Sequence, residues 1–212
     1  HLTPVTLELG GKSPAIIGPG ARWEHAVERI MLGKLVNAGQ TCVAPDYVLV
    51  PRDKLDAFVA TARQVAARLY PDAVNNPQYT SIVSSRHFER LSGLAAEAAA
   101  QGATSHALFD TPAQAARRRL PPVVLTGVHD GMRVMREEIF GPLLPVVPYD
   151  DLDAAIAYVN GRARPLALYV FDTDNTRIGR VVDGTITGGV TINDTLLHVA
   201  QHALPFGGVG PS

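Results

Sequence analysis

Cys42 is the only cysteine among 212 residues, and it closes the run Asn37-Ala38-Gly39-Gln40-Thr41-Cys42. A helical pattern leads into this run and an extended apolar run leads out of it. A thiol at such a junction is presented by a turn, a placement suited to a nucleophile. A lone cysteine taken by itself is more often a small buried hydrophobe, so its neighbours must decide. Glu8 falls within the apolar run Val5-Thr6-Leu7-Glu8-Leu9, just before Gly10-Gly11. An unpaired carboxylate buried there is costly, and burial lifts its pKa towards the range of a general base. On an edge strand facing water it would do neither. Glu137 and Glu138 stand beside the turn Ile139-Phe140-Gly141-Pro142.

These residues need elements to hold them. Val5–Leu9 alternates as a short strand, and Ala15-Ile16-Ile17 reads as another, ended by Gly18-Pro19-Gly20. Trp23, Ala26, Val27, Ile30, Met31, Lys34 and Leu35 fall at helical spacing, and Gly39 marks the end of that helix. Tyr47–Val50 is a buried-strand run, and Pro51 and Asp53 open a helix with Leu55, Phe58, Ala62, Val65 and Leu69 on one face. Residues 70–80 are turn-formers, and Ser85 is placed to cap a helix over about 86–100, closed near Gly102. Strands are predicted at 104–108, 123–125, 143–147, 166–171 and 189–192, with helices from Asp151 and over 175–182. The stretch 110–119, with Arg117, Arg118 and Arg119, reads as a solvated loop; no aromatic residues interleave with the arginines as an anion-binding patch would want. The alternation of strands and helices predicts an α/β sandwich on a largely parallel sheet.

Composition bounds the function. Hydrophobic residues at 46% and charged residues at 18% describe a globular chain of one domain, or one domain with pieces of a neighbour. A formal net charge of −1 gives no basic footprint for nucleic acid. One cysteine excludes an internal disulfide and suits a reducing compartment, so a cytoplasmic location is expected. No apolar run reaches the ~18–20 residues of a membrane helix, and no signal peptide is visible. None of the seven histidines pairs at usual metal-ligand spacing; His198 and His202 are four apart in a segment without helical patterning, and no metal is expected.

Taken together, Leu7-Glu8-Leu9-Gly10-Gly11-Lys12, Gly39-Gln40-Thr41-Cys42-Val43-Ala44-Pro45-Asp46-Tyr47, Glu137-Glu138-Ile139-Phe140-Gly141-Pro142 and Leu204-Pro205-Phe206-Gly207-Gly208-Val209-Gly210 resemble the aldehyde dehydrogenase superfamily. The wording is that of its class 3-like branch, which includes coniferyl aldehyde dehydrogenases. The resemblance runs in order from Thr3 to the last residue.

What the resemblance implies is specific. Cys42 matches the catalytic nucleophile and Glu8 the general base. Glu138 matches the carboxylate that holds the nicotinamide ribose hydroxyls, and Glu137 beside it could shift that assignment by one. Phe140 matches a residue near the nicotinamide, and Phe206 an aromatic wall of the substrate pocket. The cofactor is NAD or NADP, the substrate a small-molecule aldehyde, possibly aromatic, and the full-length protein a homodimer or higher oligomer. No nucleic acid or membrane partner is implied. Residues 1–12 correspond to the tail of a cofactor domain, 13–197 to the catalytic thiol domain, and 198–212 to a segment returning towards the cofactor and oligomerisation regions. Most of the cofactor domain precedes the first motif in the family, so a catalytic-domain fragment, inactive alone, is expected. Two rivals stand beside this reading. One is a cofactor-independent thiol acyltransferase or hydrolase, which would need an activator near Cys42. The other is a non-catalytic interaction module in which Cys42 only packs.

Overall fold

The continuous apolar runs 15–17 and 47–50 become strand segments in which every residue is buried. Successive side chains of a strand point to opposite faces, so burial of every one means that both faces of the sheet are covered. The computed structural model of the chain describes residues 2–3 and 9–212. The elements are, in chain order, β1 (Pro14–Ile17), α1 (Trp23–Leu35), β2 (Tyr47–Pro51), α2 (Leu55–Leu69), α3 (Ser85–Ala100), β3 (Thr104–Ala107), β4 (Val123–Thr126), α4 (Arg133–Arg136), β5 (Leu143–Tyr149), α5 (Leu152–Asn160), β6 (Leu168–Phe171), α6 (Asn175–Gly184) and β7 (Val190–Ile192). They form one sheet of order β3-β4-β5-β2-β1-β6-β7. All neighbours are parallel except β3, which pairs antiparallel with β4 at one edge. The expected α/β architecture on a largely parallel sheet is therefore present. The strand expected over Val5–Leu9, with Glu8 in it, lies outside the described residues except for Leu9.

α1 buries Ala26, Val27, Ile30, Met31, Lys34 and Leu35, the stripe that its spacing predicts, and packs against α2. Three local readings change. The cap of α3 is Ser84, not Ser85: its hydroxyl accepts from the His87 N–H at 3.2 Å. α2 begins at Leu55, after a 3-10 turn over Arg52–Lys54, because Pro51 completes β2 instead of opening the helix. The arginine run is not simply solvated. Arg119 is 9% exposed and donates to the carbonyls of Val74 (2.6 Å) and Asn76 (3.0 Å), while Arg118 donates to Ile82 O. A guanidinium with several donors can satisfy several loop carbonyls at once, and these two hold the long 70–83 connection in place.

In a parallel sheet the crossover helices bring the chain back to one side, so the amino ends of the strands share an edge. The segments entering β1, β2, β5, β6 and β7 all meet there. The Asp46 N–H donates to Ser13 O at 2.8 Å, the Ala167 N–H to Ser13 Oγ at 3.3 Å, and the Gly188 N–H to Pro165 O at 3.0 Å. Open α/β sheets usually bind ligands at the opposite edge, where the strands end. Here the described motif residues are gathered at the amino edge.

Candidate active site

Cys42 sits half-buried in the connection from α1 to β2, past the carboxyl end of a helix. A helix C-terminus carries partial negative charge and does not favour a thiolate. Other features of the loop must therefore shape it. Asn37 and Ala38 adopt φ of +52° and Gly39 of +74°, three successive left-handed residues that turn the chain sharply. The Asn37 amide donates to Gln40 O at 3.0 Å, so Asn37 both ends the helix and orients the loop. Gln40, 7% exposed, uses both ends of its side chain. Its amide nitrogen donates to Asn37 O and Ser81 O, and its oxygen accepts from the Val83 N–H at 2.8 Å. The loop is thus fixed on two sides before the thiol is reached. The Thr41 hydroxyl beside Cys42 is enclosed without a hydrogen-bond partner among the described residues.

Gly39 joins this loop to the second motif. A Cβ at position 39 would lie 2.4 Å from the Gly141 carbonyl oxygen, so only glycine allows the two backbones to approach. The turn 137–141 is held by three charged side chains. The Lys12 ammonium pairs with the Asp46 carboxylate and donates to Val134 O (2.8 Å) and Glu137 O (2.9 Å). Asp46, whose side chain is 4% exposed, accepts from the Ile139 N–H at 2.9 Å. Arg90 on α3 donates to the carbonyls of Glu138 and Ile139. Charge-assisted bonds of this kind are short and strong, and together they fix the backbone on both sides of Glu138.

Glu138 is brought onto the Gly10-Gly11 turn, its carboxylate oxygens filling the space that a Cβ on Gly10 would need. Burial raises its pKa above the ordinary carboxylate value; the Gly11 N–H opposes this, Asp46 adds to it, and Lys12 and Arg90 oppose it. Glu137 instead points outward to Arg133 at 2.7 Å, which holds its carboxyl below the ordinary value. The two neighbours are thereby distinguished, and Glu138 is the one facing the motif cluster. Phe140 follows with φ of +50°, partly buried. Lys34 lies under the same cluster, 1% exposed, its ammonium pulled down to about 8 by burial, against the attraction of Asp46 and Glu138.

Phe206 is held at the same edge by a different anchor. Gly207 and Gly208, at φ of +109° and +105°, lie flat against Gly188, and Phe206 packs on the core beside them. Glu8 lies outside the described residues. Among the described residues no group of histidine, cysteine, aspartate and glutamate could hold a metal ion, and no helix is long and apolar enough to cross a membrane. His198 lies in a 3-10 turn over Leu197–Ala200, its Nδ1 2.9 Å from Thr191 Oγ1 and its basicity lowered by burial.

The Lys12–Asp46–Arg90 hub, the Gln40 brace and the burial of Lys34 were not singled out from sequence. The signal for Lys34 was present, a lysine within the apolar stripe of α1. The hub carries no such mark, since its members are 34 and 44 positions apart along the chain and each is ordinary alone.

The aldehyde dehydrogenase family model matches residues 1–212. The chain is 55% identical to a probable coniferyl aldehyde dehydrogenase of Pseudomonas aeruginosa, over all of this chain and 44% of that protein. It is 42% identical to the dimeric NADP-preferring aldehyde dehydrogenase of the dog Canis lupus familiaris, over all of this chain and 46% of that one. A solved structure of Staphylococcus aureus AldH in a substrate-bound state superposes with a TM-score of 0.91 at 41% identity, covering 99% of this chain and 45% of that one. The chain thus spans less than half the length of the relatives it matches.

Proposed function

The chain belongs to the aldehyde dehydrogenase family, and we propose that it supplies the thiol half of an enzyme that oxidises an aldehyde to a carboxylic acid with NAD or NADP. The observation that carries this reading is the interlock of the Cys42 loop with the Glu138 turn through Gly39 and Asp46. The loop that carries the thiol and the turn that carries a half-buried carboxylate are thereby locked together at one edge of the sheet.

An aldehyde carbon cannot release hydride until a nucleophile has made it tetrahedral. Cys42 adds through Sγ to give a thiohemiacetal, and its own backbone N–H faces the developing oxyanion. A bound NAD or NADP would supply the hydride acceptor, and with the hydride gone Cys42 would carry the acyl group as a thioester. Glu8 then takes a proton from water, which cleaves the thioester, releases the acid and returns the thiolate. The residues that would hold the cofactor fit it. The Glu138 carboxylate is backed by Gly11 and a fixed backbone, as an acceptor for two vicinal hydroxyls must be. Phe140 stands two residues on, in a backbone conformation set by that same turn. Phe206 forms the aromatic wall of the aldehyde pocket. An aromatic aldehyde such as coniferyl aldehyde is the substrate, supported by the relative of highest identity reported above.

The amino edge, with its motif residues gathered and half-buried, is completed by a cofactor domain. Residues 1–12 are its tail, 13–197 the thiol domain and 198–212 the returning segment; the 212-residue chain alone does not turn over aldehyde, and the whole protein is a homodimer or larger. The test is NADH formation at saturating aldehyde by an enzyme of the relatives' full length that carries this segment. Cys42→Ser should abolish both turnover and thiol labelling. Glu8→Gln should give a burst of about one NADH per site and then stall as an acyl adduct on Cys42, detected by intact mass, with turnover slowed roughly 10²–10⁴-fold. Full turnover by Glu8→Gln would remove Glu8 from the mechanism, and full turnover by the isolated chain would end the two-part reading.

A further inference from the structure

Tyr169 is a phenol in the middle of the sheet, 0% exposed, on β6 between β1 and β7. Its position in the sequence, within an apolar strand, marks it as core. Its hydroxyl, however, reaches the amino edge and joins the loop that carries Cys42 to the loop that follows β7. It donates to the carbonyl oxygen of Val43, the residue after Cys42, and the Leu196 N–H points at it from the other side. Cys42 is near enough for its charge to act on the phenol, which burial has already pushed well above the ordinary tyrosine range.

The loop on the far side of the bridge is itself anchored. Leu196 sits at φ of +64°, a conformation costly for leucine that persists only when its surroundings impose it. Thr195, 2% exposed, donates to Arg29 O at 2.8 Å, and Arg29 pairs with Asp194 at 2.6 Å. Both contacts run to α1, the helix that leads into the Cys42 loop. The ring of Tyr169 is braced in turn by His198, with centroids 6.0 Å apart, and His198 is held by Thr191, the residue paired with Tyr169 across the sheet. The result is a closed circuit: α1, Cys42 loop, Tyr169, Leu196 loop, and back to α1.

We propose that Tyr169 is a positioning residue for the thiol, its hydroxyl fixing the Val43 peptide, and with it the Cys42 Sγ and N–H, against the loop that follows β7. A buried phenol with both roles satisfied would serve packing alone equally well, but packing alone does not require its partners to be the loop that carries the nucleophile and a loop tied to the helix leading into it. The inference rests on the reading of Cys42 as the nucleophile. Displacement of a reacting atom by about 1 Å can slow a reaction of this kind roughly 10²-fold.

The experiment is Tyr169→Phe in the full-length enzyme, which keeps the ring and removes the hydroxyl. The pre-steady-state NADH burst should slow tenfold or more, with KM for NAD within twofold of the unsubstituted enzyme. A burst within twofold of the unsubstituted rate overturns the proposal, and so does a slow burst matched by an equal rise in KM for NAD, which would mean a general loosening. If the unsubstituted enzyme makes no NADH from any aldehyde, the proposed activity fails, and the positioning role is read from alkylation of Cys42 by iodoacetamide. Tenfold slower alkylation in Tyr169→Phe supports it, and a rate equal to or above that of the unsubstituted protein overturns it. Should Tyr169→Phe not fold, 3-fluorotyrosine at position 169 keeps the shape while strengthening the donor. A burst rate altered at least threefold then supports the proposal, and a smaller change overturns it.

Discussion

Lys34→Met asks what a buried cation contributes to this fold. Lys34 is 1% exposed, and burial takes its pKa from an ordinary 10.5 down to about 8, after the attraction of Asp46 and Glu138 has been included. Each pKa unit corresponds to about 1.4 kcal/mol, so keeping the ammonium charged inside the protein costs about 3 kcal/mol. Below pH 8 the lysine is charged in both the folded and unfolded states, and the whole penalty applies. Between pH 8 and 10.5 the folded protein gives up this proton while the unfolded chain retains it. The unfolded state then binds more protons, so stability rises with pH across this window. Above 10.5 both states are neutral and the penalty is gone. Methionine has similar length and no charge. Lys34→Met should therefore be more stable than the unsubstituted protein by about 3 kcal/mol at pH 7 and by about zero at pH 10.5. Urea unfolding of the two proteins at both pH values measures this difference, and other titrating groups cancel in the comparison. A stability difference that does not change with pH would refute the argument. A variant less stable at pH 7 would show that the pairing of Lys34 with the carboxylates outweighs its burial.

Two further substitutions probe the interlock, beside those given above for Cys42, Glu8 and Tyr169. Gly39→Ala places a Cβ 2.4 Å from the Gly141 oxygen at a φ of +74°; combined left-handed strain and backbone displacement should lower stability by about 2–4 kcal/mol in urea unfolding, and an unchanged midpoint would mean that the two loops separate without loss. Lys12→Met takes from the Asp46 carboxylate, 4% exposed, the ammonium bonded to it and leaves only the attraction of Lys34; the loss should cost up to about 3 kcal/mol at pH 7, and Lys12→Arg should recover part of it.

The architecture was legible because the physics that makes it is local. Short apolar runs at 15–17, 47–50 and 168–171, too brief for helices, suit strands covered on both faces, and the i, i+3, i+4 stripe of α1 suits a helix lying on a core. The errors were local too. Ser84 and Ser85 are equivalent as letters, and which one caps α3 depends on the direction from which the loop arrives. Arg119 reads as surface because its three-residue run is charged, yet its guanidinium is buried where loop carbonyls converge.

The candidate site was legible in another way and to another depth. Cys42 and Glu138 stood out through the motifs around them, but nothing along the chain says that residues 39 and 141 touch, or that Lys12, Asp46 and Arg90 share one task. Such pairings are set by which strand lies beside which. The order β5-β2-β1-β6 places the segments entering four strands next to one another, although they are spread over more than 150 positions. Tyr169 is the clearest case. As a letter in Leu168-Tyr169-Val170-Phe171 it is core like its neighbours, and its ring does pack as core. Only the register that sets it beside Ala15 and Thr191 carries its hydroxyl to the Val43 peptide. A pattern of hydrophobicity records where a ring is buried, whereas a single polar atom at the end of that ring acquires its meaning from the strand pairing.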